Sequence, residues 1–500
     1  MSPRDGDALH HGGICLAPRS DPWHSGPIGS PPAARAAGAA CRRVLDRGGF
    51  VKARSTTMWA AAVAASALVL TACGGGGSSA PSDSASSTDA GPNPREGIVF
   101  DIGVTDEPCP EAVNPDNGCI YLGVLSDLTE GPFAPLATQV VTGQQDFWKY
   151  VNEQGGISGF DVNMAANTRD NKYDPAVHSQ EYRSIEPNIL ALAQTLGTPQ
   201  TQAILPDMEA DNVIGVPASW WSGWQFPETD GGVILESGAS YCIAAMGGLD
   251  WWVENQAPIN KLIAVGYPGD YGGDYAAGAE KWAAANGVEF AGVVETAPNA
   301  TAGNQDAAVA AILESGADVV AIGVGPGEAA EIIGKAVASK FEGKFLGAAP
   351  TWNPLLLQTA AAPALIANYT NVGTTGSFGT PSAAMDAMQA QLGEGILPAN
   401  DGYTYGWVWQ YPLKAALEKA AANGDLTREG LVAAVQGGVE VDYEGALPNS
   451  LVGGPAADVD RSVSINIPDE SSPLGIKTLL MGYVGKTAQA YDYSAPCSGT

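Results

Sequence analysis

The chain has 500 residues, with 54 acidic and 24 basic side chains and a formal net charge of −30 at pH 7. Such a field repels nucleic acid and anionic membrane surfaces; it favours solubility and the capture of neutral, zwitterionic or cationic ligands. Three of the four histidines (His10, His11, His24) lie within the first 72 residues, so the remainder keeps only His178, and multi-histidine metal or acid–base sites have little support.

Residues 1–57 carry Pro, Gly and Arg without sustained periodicity. Lys52 and Arg54, an apolar run over 60–70 and small residues before Cys73 make the three parts of an export signal. The run is too short to span a bilayer, which needs about 20 apolar residues. Leu70-Thr71-Ala72-Cys73 resembles a bacterial lipobox, in which the cysteine is lipidated and becomes the new N-terminus. Met58 is a better start than Met1, because it puts the signal at the N-terminus, although it strands Lys52 and Arg54; a start between the two also fits. Residues 1–72 therefore read as a signal region with an extraneous upstream segment. Residues 73–96, rich in Gly, Ser, Pro and Asp, read as a disordered tether with a reach of roughly 25 Å.

Beyond Cys73 four cysteines remain, Cys109, Cys119, Cys242 and Cys497, an even number suited to disulfides in an oxidising compartment. Three pairings are open. Cys109–Cys119 with Cys242–Cys497 is the expected one: the first closes a Pro/Asp/Asn-rich loop within 97–118 and its edge, and the second ties down the C-terminal tail. No CxxC occurs, which argues against a zinc or thioredoxin-type site.

The ordered body begins near Cys119. Residues 120–125 read as a buried strand, 126–132 as a loop, and Leu136, Val140, Val141, Phe147, Trp148 and Val151 follow a helical period that stops at Gly155-Gly156. Residues 160–164 alternate as a strand and 168–171 read as a loop. His178 falls in a helical segment and is expected at the surface. Strands are predicted at 189–193, 213–216, 261–266, 288–295, 318–323 and 345–347. Between them, 194–198 reads as a loop, and helices are predicted from Pro199, through Ala285, over 306–314 and over 329–338. One long helix is predicted over 403–421, another over 428–436, and late strands over 462–467 and 479–484. Strands separated by helices imply parallel sheets covered on both faces.

Several chemical motifs fail on spacing. Gly323-Val324-Gly325-Pro326-Gly327-Glu328 would need Gly at Glu328 to be a dinucleotide fingerprint. There is no Walker A loop, GxSxG, HExxH or EF-hand spacing. No cofactor, metal or catalytic residue is expected.

Residues 122–132 (LGVLSDLTEGP) and 151–159 (VNEQGGISG) resemble the opening of the branched-chain amino-acid substrate-binding proteins of ABC importers. Asp170 and Asp174-Pro175 fall at that family's acidic loop, Gly269-Asp270-Tyr271-Gly272 resembles its DxYG turn, and Gly316-Ala317-Asp318-Val319-Val320 with Gly323 resembles a later strand. The resemblance covers about 119–490. It implies the α/β type I periplasmic binding fold: two Rossmann-like lobes, 119–243 plus 376–440 and 244–375 plus 441–492, joined by a three-segment hinge. In such sheets ligands sit at the carboxyl ends of strands.

The resemblance also implies site residues. Thr198 and Ala218-Ser219 would take a ligand carboxylate, Glu328 its ammonium, and Tyr271 and Tyr241 would close over it. Plainer roles stay open: an N-cap for Thr198, a capping-box residue for Glu328, a turn residue for Tyr271 and core for Tyr241. Trp220-Trp221-Ser222-Gly223-Trp224 departs from the family's small or polar residues. These rings suit stacking on an aromatic or cationic ligand, or packing between lobes. The implied function is a monomeric, lipid-anchored, extracytoplasmic protein. It would deliver a small molecule, first of all an amino acid, to an ABC permease, with no nucleic-acid partner. Amides, urea-like or aromatic compounds are alternatives, as is a ligand-sensing role; an extracellular enzyme is the reading with least support.

Overall fold

The computed structural model describes residues 93–269, 271–455 and 458–499. The expected signal, lipobox and most of the tether lie outside the described residues.

Two short strands, β1 (Val99–Phe100) and β2 (Val104–Thr105), precede the long β3 (Gly118–Ser126). The chain continues through α1 (Ala134–Glu153), β4 (Phe160–Asp170), α2 (Pro175–Ile185), β5 (Ala191–Leu196), α3 (Thr198–Asp211) and β6 (Gly215–Ala218). β3, β4, β5 and β6 form a parallel sheet, with β2 antiparallel to the start of β3. Every residue of β5 is buried, as a central parallel strand covered on both faces requires.

A short α4 (Pro227–Asp230) leads to α5 (Tyr241–Asn255) and a second α/β run. It comprises β7 (Lys261–Gly266), α6 (Tyr271–Asn286), β8 (Glu289–Glu295), α7 (Asn299–Ala302), α8 (Asp306–Ser315), β9 (Val319–Gly323), α9 (Pro326–Ala338), β10 (Lys344–Ala348), α10 (Ala362–Asn368) and β11 (Tyr369–Gly373). The chain then returns to the first sheet with α11 (Ala383–Leu392), α12 (Gly402–Val408), α13 (Gln410–Ala422), β12 (Asp425–Leu426), α14 (Arg428–Val435), β13 (Val439–Val441) and β14 (Ser450–Val452). It closes with β15 (Val463–Pro468), β16 (Ile476–Tyr483) and α15 (Lys486–Ala490). The second sheet has the order β16-β15-β11-β10-β9-β7-β8. It is parallel from β8 to β11 and antiparallel at β15 and β16. The chain thus passes between the sheets three times.

Both disulfides pair as expected, Cys109 with Cys119 and Cys242 with Cys497. The second fastens the C-terminal segment to α5 beside a buried carboxylate. Asp274 accepts from Ser222 N–H at 3.1 Å, Ser222 Oγ at 2.6 Å, Cys242 N–H at 3.1 Å and Ser498 Oγ at 3.0 Å. Burial pushes its carboxyl up to about 6, and these donors pull the other way. One side chain thereby holds the first crossing, α5, α6 and the C-terminal tail together.

Three local expectations change. The strand β5 runs on through Leu196, and β4 through Asp170, where loops were predicted. The polar residues there are buried but paired: Gln194 Nε2 donates to Ser126 Oγ at 2.8 Å, and Thr195 Oγ1 lies 2.9 Å from Thr201 Oγ1. His178 is not a surface residue; it is fully buried. Its Nδ1 accepts from Asn171 Nδ2 at 2.9 Å, which leaves the proton on Nε2, 2.9 Å from Thr195 Oγ1. Burial lowers its pKa to about 3, so the ring is neutral. The single helix predicted over 403–421 is two helices, broken at Trp409. Pro412 has no N–H to donate to the carbonyl of Val408, four residues earlier, so the ladder stops there.

Candidate functional site

The turn after β5 leads straight into the N-terminus of α3. Gly197 has φ +100°, and a Cβ there would lie 1.9 Å from Gln200 Oε1 and 3.0 Å from the Tyr173 ring. Only glycine makes this turn. It delivers Thr198 to the first position of α3, with Pro199 following, where a missing N–H costs nothing. The first intrahelical closure is Thr201 N–H to the Gly197 carbonyl at 2.9 Å. The amides before it have no helical partner, and the helix dipole makes this end attractive to an anion. Thr198 is fully buried, and its Oγ1 has no partner among the described residues.

The end of β6 supplies the second polar group. Ser219 is buried, and its Oγ accepts from Trp224 Nε1 at 2.8 Å. That bond uses an acceptor site and leaves the hydroxyl proton free to donate. Trp221 and Trp224 pack edge to face with centroids 4.8 Å apart, in a core that also holds Ile204, Leu205 and Met208. Trp220 turns the other way. It packs on Tyr241, Tyr405 and Trp409, with centroids 5.7, 5.4 and 4.8 Å away, and its Nε1 donates to the Ser237 carbonyl at 2.6 Å.

Gly197, Ser219 and Trp220, with the rings around Trp220, line one narrow cavity of about 40 Å³. The first-sheet side contributes Phe133, Leu136 and Val140 from the α1 region, Tyr173, Leu196 and Gly197 from two strand ends, Ala218 to Trp220 from β6, and Tyr405 and Trp409 from the helix break. The second-sheet side contributes Tyr241, Tyr271 and Pro350. Phe133 and Tyr271 meet across the gap with centroids 6.0 Å apart, and Tyr241 lies 5.4 Å from Tyr271. Gly272 lets Tyr271 sit so deep, because a Cβ there would lie 2.3 Å from the Gly323 carbonyl oxygen. None of the lining side chains among the described residues is charged. Burial raises the Tyr405 pKa well above its ordinary value, with the field of Asp401 adding, so that hydroxyl keeps its proton.

Of the residues singled out in the sequence, Ala218, Ser219, Trp220, Tyr241 and Tyr271 meet at the cavity, and Thr198 lies one residue past its wall at Gly197. Glu328 is not on this wall. Its Oε1 accepts from the Asn299 N–H at 2.8 Å, which fastens α7 to the first turn of α9. Sequence reasoning missed Phe133, Leu136, Val140, Tyr173, Leu196, Gly197, Pro350, Tyr405 and Trp409. The dense aromatic stretch Tyr403–Trp409 was the available signal, since rings on every face of one segment exceed what a single core face needs.

The sequence profile of the family described as "Periplasmic binding protein" matches residues 120–459. A comparison with curated protein sequences gives no match. Among solved structures, the chain is similar to a fatty acid ABC transporter substrate-binding protein from Thermomonospora curvata, with TM-score 0.69 and 26% identity over 79% of this chain and 97% of that one. It is also similar to a branched chain amino acid ABC transporter protein from Thermus thermophilus with bound valine, with TM-score 0.62 and 16% identity over 75% and 99%. A solute binding protein from R. palustris in complex with 4-hydroxybenzoate gives TM-score 0.59 and 16% identity over 73% and 97%. With the family profile matched across both sheets and the cavity between them, the chain belongs to the periplasmic binding protein family, has its type I fold, and is a substrate-binding protein of ABC transporters.

Proposed function

We propose that this protein captures a small carboxylate with an apolar or aromatic body and hands it to an ABC permease, working as a monomer held at the membrane by a lipid on Cys73. One observation carries the ligand class: among the described residues the cavity wall has no charged side chain, yet it ends at a helix N-terminus and a serine hydroxyl. A carboxylate takes its hydrogen bonds from the first turn of α3, from Thr198 and from Ser219. The body of the ligand lies among Trp220, Tyr241, Tyr271, Tyr405 and Trp409.

An α-amino acid also needs a partner for its ammonium, and Glu328, the residue matched to that role, is engaged elsewhere with Asn299. A buried, unpaired ammonium costs several kcal/mol. The geometry therefore favours acids without an amino group over the amino acids first expected. The Thermomonospora curvata relative, described as a fatty acid transporter's binding protein, supports the same reading. The anchor rests on Leu70–Cys73 and the Gly/Ser run behind it.

Thermal unfolding of the purified protein against amino acids, aliphatic and aromatic acids, and their methyl esters tests this reading. A ligand at 100 times its dissociation constant adds about 2.7 kcal/mol of stability. Free acids are expected to raise Tm while their esters and amino-acid analogues do not. A rise with amino acids alone contradicts the ligand class.

A further inference from the structure

A second chamber opens beside the first. It measures about 330 Å³ against about 40 Å³ for the inner one. Phe133, Leu136 and Pro350 line both. Its remaining wall comes from the start of α9 and from residues 353–359, with Leu355 58% exposed at the rim. Asn353 and Thr359 are its only polar lining side chains; the rest are hydrocarbon, Pro and Gly. A water-sized group needs roughly 10–15 Å³ of such space, so the inner chamber admits a slim group, and anything longer must leave it.

We infer that the ligand is an elongated monocarboxylate: its head sits against α3 and Ser219, and its hydrocarbon tail passes Phe133, Leu136 and Pro350 into the outer chamber. The inference rests on the carboxylate reading above and narrows it, because a compact aromatic acid would fill the inner chamber alone. The two chambers adjoin at Phe133, Leu136 and Pro350, which argues for one occupant of both rather than a separate partner on the outer one. Each methylene that leaves water for such a wall is worth about a fourfold gain in affinity.

The test is calorimetric titration of the purified protein with straight-chain acids from butanoate to dodecanoate, repeated on Gly327→Trp and Leu355→Glu. Both positions line the outer chamber and not the inner one. A side chain at Gly327 meets no atom within 4 Å of its Cβ, and Leu355 is exposed, so neither substitution disturbs a packed core. The expected result is affinity climbing about fourfold per methylene, with dodecanoate weakened at least tenfold by either variant and butanoate unchanged. Affinity that stops rising among the shortest acids, or dodecanoate bound equally well by both variants and the parent, overturns the tail assignment while leaving the carboxylate site standing. If no acid of any length binds and another ligand class does, both readings fall.

Discussion

Asp230 and Glu236 lie near the end of the first crossing, both buried, at 2% and 8% exposure. Burial raises Asp230 to about 8, with the charges of Glu236, Glu209 and Glu228 adding to it, and burial raises Glu236 to about 7. The native state therefore holds protons that the unfolded chain releases above the ordinary carboxylate range. That stabilisation is present at low pH and is lost as pH rises through about 7 to 8. Tm is expected to fall between about pH 5 and about pH 8, and the double variant Asp230→Asn/Glu236→Gln to flatten that slope. At about pH 8 the variant should be the more stable, by the order of 1.4 kcal/mol per unit of pKa separation removed. An unchanged slope, read by scanning calorimetry, contradicts the assignment. At the cavity, Ser219→Ala removes one donor to the ligand carboxylate and should weaken acids by about 1–3 kcal/mol. Thr198→Val should do likewise, and the binding of esters, already weak, should be unaffected by either.

At the scale of elements, the long disulfide should matter most. Cys242–Cys497 closes 255 residues and Cys109–Cys119 closes 10, and loop-closure entropy grows with length. Replacing Cys242 and Cys497 by Ala should cost about 2–5 kcal/mol, more than the same change at Cys109 and Cys119, as denaturant unfolding would show. Much of the element order was legible, because a buried strand such as 261–266 and a periodic helix such as 134–153 announce themselves by apolar spacing alone. The misread places share a cause. Gln194 and Thr195 look like loop residues, yet each finds a hydrogen-bond partner inside the fold, and those partners come from distant segments such as Ser126. His178 follows the same rule: a lone polar ring is read as exposed until Asn171 and Thr195 are seen to satisfy both nitrogens. The site was half legible. Ser219, Trp220 and Tyr271 follow strand ends, where motifs mark them. Tyr405 and Trp409 come from a helix break more than 130 residues further on, which only the chain crossings bring to the cavity.

For the whole molecule, the acidic surface and the uncharged cavity do different work. The net charge of −30 keeps an extracytoplasmic protein soluble and does not select the ligand. In the proposed reading selection comes from the wall that both lobes share, where Phe133 on one side meets Tyr271 on the other. A ligand bridging that wall favours the closed arrangement by its differential affinity for it. Small-angle scattering should show a smaller radius of gyration with a bound acid than without. An unchanged radius would place the ligand on one lobe alone. The most direct test of the central claim is calorimetric titration with one matched pair, octanoate and its α-amino analogue, 2-aminooctanoate. The two differ only by the ammonium, for which the described residues of the cavity wall offer no acid. Tighter binding of octanoate by at least tenfold is the predicted result, and tighter binding of the amino acid would contradict the account.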